Sequence, residues 1–152
     1  MPLSALTRSE LIFPELGGHD RETTLRFFAD RMAESAGLDA DEVYRGLLER
    51  EELGSTGIGG GVAIPHARVD GLDRALLAVG LAPDGIPFAA VDGEPVRAFF
   101  VVVSPRKDPQ QNLRCLAAVS AWIKERGNVE ALLAMPSAVA MQEALASDLV
   151  AG

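Results

Sequence analysis

Apolar positions along this chain recur with two periods. Between Arg21 and Ala36, the residues Leu25, Phe28, Met32 and Ala36 fall three or four apart, which predicts an amphipathic helix with those residues as its buried stripe. Asp20 supplies an N-cap and Gly37 a stop. Val43, Leu47 and Leu48 mark a second helix, starting at Asp39 or Asp41 and reaching about Glu51, with Phe27 and Tyr44 as partial core. The pattern then changes to short, continuous apolar runs. Leu11-Ile12-Phe13 before Pro14, Val62-Ala63-Ile64 before Pro65, Ala75–Leu81 and Val96–Val103 read as strands. Val96–Val103 has five β-branched or aromatic residues in a row from Phe99, so it should be covered on both faces. Asp84-Gly85 and Asp92-Gly93 are turn signals. A helix from Pro109 to about Arg126, stopped at Gly127, has Leu113, Leu116, Val119 (or Ser120) and Ile123 as its apolar face, with Trp122 packed near its end. Short helices around Val129–Ala134 and Ala138–Ala146 follow, the last capped by Ser137. Helices before, between and after the strands predict an α/β sandwich with one central sheet, in a single domain over residues 1–152.

Composition narrows the function classes. A net charge of −8 argues against non-specific nucleic-acid binding. The single cysteine, Cys115, excludes an internal disulfide, fits a reducing cytoplasm and reads as a packed, inert thiol. There is no signal-peptide layout and no apolar stretch near the ~20 residues that span a bilayer, so a cytoplasmic protein with no direct membrane insertion is expected. Two histidines and one cysteine, none closely spaced, match no metal-ligand pattern, and no cofactor is expected.

The chemistry concentrates in Gly54-Ser55-Thr56-Gly57-Ile58-Gly59-Gly60-Gly61-Val62-Ala63-Ile64-Pro65-His66. Glycines let backbone N–H groups approach an anion, and a histidine beside them has a nucleophilic nitrogen. The P-loop pattern fails for want of a lysine, and the dinucleotide fingerprint fails because its sixth position, counted from Gly57, is Val62 and a strand follows instead of a helix. His19, just before the first helix, reads as a solvated loop residue; His66, at the end of a predicted strand with Arg68 two residues on, is the candidate for phosphoryl chemistry.

Thr56-Gly57-Ile58-Gly59 followed by Val62-Ala63-Ile64-Pro65-His66 resembles the active-site signature of phosphotransferase-system IIA proteins of the fructose/mannitol/nitrogen type. Leu47-Leu48-Glu49-Arg50-Glu51, the Asp92-Gly93 turn, the Phe99–Val103 strand and the long helix behind it fit the same family, so the resemblance covers nearly the whole chain. It implies a central mixed β-sheet flanked by helices on both faces. It also implies that His66 accepts a phosphoryl group from the carrier HPr or its nitrogen-branch counterpart. Sugar-type members pass that group to a cysteine of a IIB component; nitrogen-type members regulate target proteins. Arg50 and Thr56 match residues lining the family's site. Arg50 would offer a fork of donors, Thr56 a hydroxyl, and Gly57, Gly59, Gly60 and Gly61 their backbone N–H groups. Ile58, Val62 and Val69 are candidates for an apolar docking rim, or equally for core.

One departure stands out. The family commonly has a second histidine at the start of the long helix, where this chain has Asn112. Asparagine keeps N–H donors but carries no positive charge and exchanges no proton. The carrier reading therefore stands beside two others: a regulatory interaction protein, and a degenerate IIA-like module without onward transfer.

Overall fold

The structure, a computed structural model, describes residues 2–16, 19–90, 92–135 and 137–146. Six strands form one mixed sheet: β1 (Ile12–Phe13), β2 (Gly57–Gly59), β3 (Val62–Ala63), β4 (His66–Val69), β5 (Leu76–Ile86) and β6 (Val96–Pro105). The order is β1-β5-β6-β3-β2, with β4 also paired to β6. β5 runs antiparallel to β6, and β2 to β3; β1 is parallel to β5, and β3 and β4 are parallel to β6. Among the described residues, five α-helices accompany the sheet: α1 (Arg21–Ala36), α2 (Ala40–Glu52), α3 (Pro109–Lys124), α4 (Asn128–Leu133) and α5 (Ala138–Leu145).

The helices cover both faces of the sheet, as the resemblance implies. Along β6, Phe99, Val101 and Val103 join Leu25, Phe28, Met32 and Leu47 of α1 and α2 in one core. The alternate residues Ala98, Phe100 and Val102 join Val119, Trp122, Leu132 and Met141 of α3, α4 and α5 in the other. Every β6 residue from Ala98 to Ser104 is fully buried, because strand alternation feeds two cores instead of one core and solvent. Each large apolar side chain so buried contributes about 1.5–3 kcal/mol.

The helix ends follow local chemistry. Asp20 accepts from the Thr23 N–H at 2.8 Å in a capping box, and Gly37 sits at φ 71° as the left-handed stop. Asp39, not Asp41, caps α2, accepting from the N–H groups of Asp41 and Glu42. Ser137 caps α5 through the Ala140 N–H.

Several expectations need correcting. Asp84-Gly85 is not a turn between strands; it lies in the irregular final stretch of β5, where pairing with β6 shifts register between Leu81 and Ile86. On α3, Val119 and Trp122 are buried as expected, Leu116 and Ile123 pack partly buried against the same core and Cys115 joins them, but Leu113 is 67% exposed and not part of the stripe. The segment Gly57–Gly61 is not an open loop, since β2 and β3 form a hairpin through it.

Candidate active site

The β3 and β4 strands share one parallel register along β6, Ala63 opposite Phe99 and His66 opposite Val102, with Ile64 and Pro65 as a break between them. Pro65 has no N–H to give to a ladder. Its carbonyl still accepts from Val102 N–H at 2.9 Å, and Ile64 N–H turns to the Thr56 carbonyl at 3.1 Å. His66 is therefore the first residue of a strand that the sequence pattern did not reveal, not the end of the preceding one. The break also leaves the Ile64 carbonyl beside the ring, 2.8 Å from His66 Nδ1.

That contact settles the tautomer. A carbonyl oxygen only accepts, so Nδ1 carries the hydrogen and the neutral ring keeps its lone pair on Nε2. Burial of the half-buried ring pushes its pKa below the ordinary 6.5, and the nearby Arg50 charge pushes the same way. The Ile64 hydrogen bond and the Glu51 charge oppose this, but the net direction is down. The neutral form thus prevails at pH 7. The folded protein binds this proton less readily than the unfolded chain, so stability is unaffected above the unfolded pKa and declines as pH falls through it. In an NMR titration the His66 ring should have its midpoint below 6.5. A midpoint at or above that value would contradict the desolvated setting.

Among the described residues β4 pairs only with β6, and a cleft of about 630 Å³ runs along it between α2 and α3. Glu42, Arg45, Gly46, Glu49, Arg50 and Leu53 form its α2 wall, at the three- and four-residue spacing of one helix face. The approach of that helix is close: a Cβ on Gly46 would lie 3.0 Å from the Ala67 Cβ. His66 and Arg68 come from β4, Arg106 from the turn after β6, and Asn112 and Leu113 from α3. Four arginines face two glutamates here, on a chain whose overall charge is −8. Arg106 is held by Asp70 and Glu42.

The structure gathers His66, Arg50 and Asn112 in this cleft. Arg50 Nη1 donates to the Gly54 carbonyl at 2.7 Å, which ties the guanidinium to the end of α2. Asn112 Oδ1 accepts from the buried Ser104 hydroxyl at 3.1 Å; that orientation leaves its N–H₂ donors without a protein partner among the described residues.

Thr56 and the glycines are placed differently. Thr56 is buried outside the cleft lining, and both its N–H and its hydroxyl donate to the carboxylate of Glu51, itself 3% exposed. Gly59, Gly60 and Gly61 have φ of 90°, 65° and 78°, the left-handed values that a tight hairpin turn asks of glycine. The Gly60 N–H donates to the Asp92 carboxylate and the Gly57 N–H to the Ser55 hydroxyl. Gly57 is also required by space, since a Cβ there would lie 2.9 Å from the Ala90 Cα. None of the four glycines lines the cleft, so their observed work is to fold the hairpin that precedes His66. Of the rim candidates, Val62 and Val69 are core, while Ile58 is 51% exposed. The exposed apolar residues lining the cleft are Leu53 and Leu113.

Sequence reasoning missed Arg45, Glu51 and Arg106. The helical spacing of Arg45, Glu49 and Arg50 was a usable signal for the first. Nothing local points to Arg106, which reaches the cleft only because β4 pairs beside β6.

The chain is a mixed-sheet α/β domain with two parallel segments laid end to end along one strand and helices on both faces. The family described as "Phosphoenolpyruvate-dependent sugar phosphotransferase system, EIIA 2" matches residues 5–147, and the chain belongs to it. It is 31% identical over 146 residues to a nitrogen regulatory protein of Bradyrhizobium diazoefficiens, covering 96% of this chain and 95% of that one. It is also 31% identical over 145 residues to a PTS system fructose-specific EIIA component of Haloferax volcanii, covering 95% and 94%. The crystal structure of nitrogen regulatory protein IIA-Ntr from Neisseria meningitidis superposes with a TM-score of 0.86 at 26% identity, covering 94% of this chain and 98% of that one. Among the described residues, no helix is long and apolar enough to cross a membrane.

Proposed function

We propose that this protein is a phosphohistidine carrier of the phosphoenolpyruvate-dependent phosphotransferase system, with Nε2 of His66 as the phosphoryl acceptor. The observation that carries the reading is the 2.8 Å contact from Nδ1 to the Ile64 carbonyl, which leaves Nε2 as the free lone pair of a neutral ring in a cleft rich in arginine. The lone pair attacks phosphorus of a phosphohistidine on HPr or its nitrogen-branch counterpart. The donor's P–N bond breaks, and its electron pair returns to the donor imidazole. Charge on the three peripheral oxygens is met by Arg50 and by the Asn112 N–H₂ group. Thr56 acts at one remove: with Glu51 it braces the segment that leads from α2 into the hairpin.

From His66 the group passes to a cysteine of a IIB component or remains as a regulatory signal. The relatives include both a fructose-specific component and nitrogen regulatory proteins. Asn112 favours the regulatory branch, because it can hold a phosphoryl oxygen but cannot supply or take a proton during onward transfer. Incubation with phosphoenolpyruvate, enzyme I and HPr should give acid-labile label. Chasing that label with a IIB protein then separates the branches. No label, under conditions that phosphorylate a control IIA protein, would refute the carrier reading.

The donor docks over the cleft mouth, where Leu53 and Leu113 are 85% and 67% exposed. Apolar side chains beside a reacting group are the usual anchors of such an interface. Leu53→Asp and Leu113→Asp should each raise the donor KM by about tenfold while leaving the unfolding midpoint unchanged, because neither side chain is in the core. Unaltered donor kinetics in both variants would move the docking surface elsewhere.

A further inference from the structure

A separate face of α3 looks into a second cavity, of about 420 Å³, away from the His66 cleft and sharing no residue with it. This is within the range of small-molecule sites, roughly 300–1,000 Å³. Its apolar surface comes from Leu6 in the N-terminal 3-10 turn and from Cys115 and Ala118 one turn apart on α3. Cys115 is buried and its thiol is pushed up to about 11 by burial, so it presents an uncharged, apolar sulfur there.

Two guanidiniums line the same cavity. Arg74 and Arg114 form no ion pair among the described residues; Arg114 donates only to the Gln110 side-chain carbonyl, at 2.9 Å. The opposing charge is Asp108, whose carboxylate accepts from Gln111 Nε2 at 3.1 Å. Gln111 is itself fixed, because it also donates to the Asp73 carbonyl at 3.0 Å and accepts from Ala75 N–H at 2.9 Å. The wall between the arginines is thus braced before any ligand arrives, which lowers the ordering cost of binding.

We propose that this cavity binds a small organic carboxylate with an aliphatic body. Its carboxylate sits between Arg74 and Arg114, whose forked donors match two planar oxygens. Its hydrocarbon part lies on Leu6, Cys115 and Ala118. A fully hydrated inorganic anion leaves that apolar surface unused, and a neutral amide offers neither guanidinium an ion-pair partner.

The test is an amide NMR titration of the whole chain with hexanoate, run beside hexanamide and inorganic phosphate. Hexanoate should give saturable shifts at Leu6, Gln111, Cys115 and Ala118, and the other two probes should give none. In the double variant Arg74→Ala/Arg114→Ala, two exposed positions, the affinity should fall by at least about tenfold with the remaining spectrum unchanged. Four results overturn the proposal. They are no saturation by about 10 mM, equal binding of hexanamide or phosphate, undiminished binding by the double variant, or shifts centred on His66 and Asn112 instead. The readout needs no phosphoryl donor, so it stands or falls independently of the carrier reading.

Discussion

His66→Ala should take no phosphoryl label from a charged donor, whatever the incubation time. The variant lacks the only cleft nitrogen with a free lone pair, and the other cleft nitrogens belong to protonated arginines or to the Asn112 amide, neither of them a nucleophile. The fold should survive, because the ring is half-buried at the start of an edge strand and belongs to neither core. His66→Gln makes the sharper comparison: it keeps a polar side chain of similar length, and it too should stay unlabelled. The other histidine, His19, is exposed before α1, and its backbone N–H donates to the Thr23 hydroxyl. Label that persists in His66→Ala and disappears with His19→Ala would overturn the assignment. Circular dichroism and the unfolding midpoint, measured on the same samples, separate lost chemistry from lost structure.

Phe99→Ala should cost about 3–5 kcal/mol, a large share of the roughly 5–15 kcal/mol that holds a domain together. The ring is fully buried, 5.2 Å from the Phe88 ring and 6.1 Å from the Phe28 ring between centroids. It sits on β6 opposite Ala63, the last residue of β3 before the break that presents His66. Those neighbours come from three different parts of the chain, so the space left by the ring cannot collapse by moving one of them. A urea titration should show a lower midpoint with an unchanged slope. Val139→Ala, on the 67% exposed face of α5, should change stability by no more than about 0.5 kcal/mol. A loss below about 1 kcal/mol in Phe99→Ala would mean that the α1/α2 face of the sheet is not packed as described.

The helices were legible because their signals are local. Asp20 and Gly37 mark the ends of α1, and Pro109 marks the start of α3, at the positions that the structure shows. The β6 run was legible for a different reason: its unbroken β-branched and aromatic residues suit a strand buried on both faces. The glycine run was harder. Its composition suits an anion cradle and a hairpin turn equally, and only the positive φ angles and the engaged N–H groups of Gly57 and Gly60 show the hairpin. The exposure of Leu113 on α3 has a similar cause. Leu113 is apolar, and periodicity alone assigns it to the core, yet tertiary placement turns it to the mouth of the cleft.

The sequence by itself determined the helices, three of the strands and most of β5, the α/β class, the family and the histidine to test, since propensity, capping and a short signature are properties of neighbouring residues. Tertiary structure alone decided what surrounds that histidine. Continuing the parallel register past Pro65 put His66 opposite Val102 and placed the Ile64 carbonyl against Nδ1. Packing α2 against β4 brought Arg45 and Arg50 to one wall, while α3 brought Asn112 to the other. These residues are up to 67 positions apart, from Arg45 to Asn112. Side-chain chemistry at such separation is set by strand pairing and core packing, which no window along the chain contains.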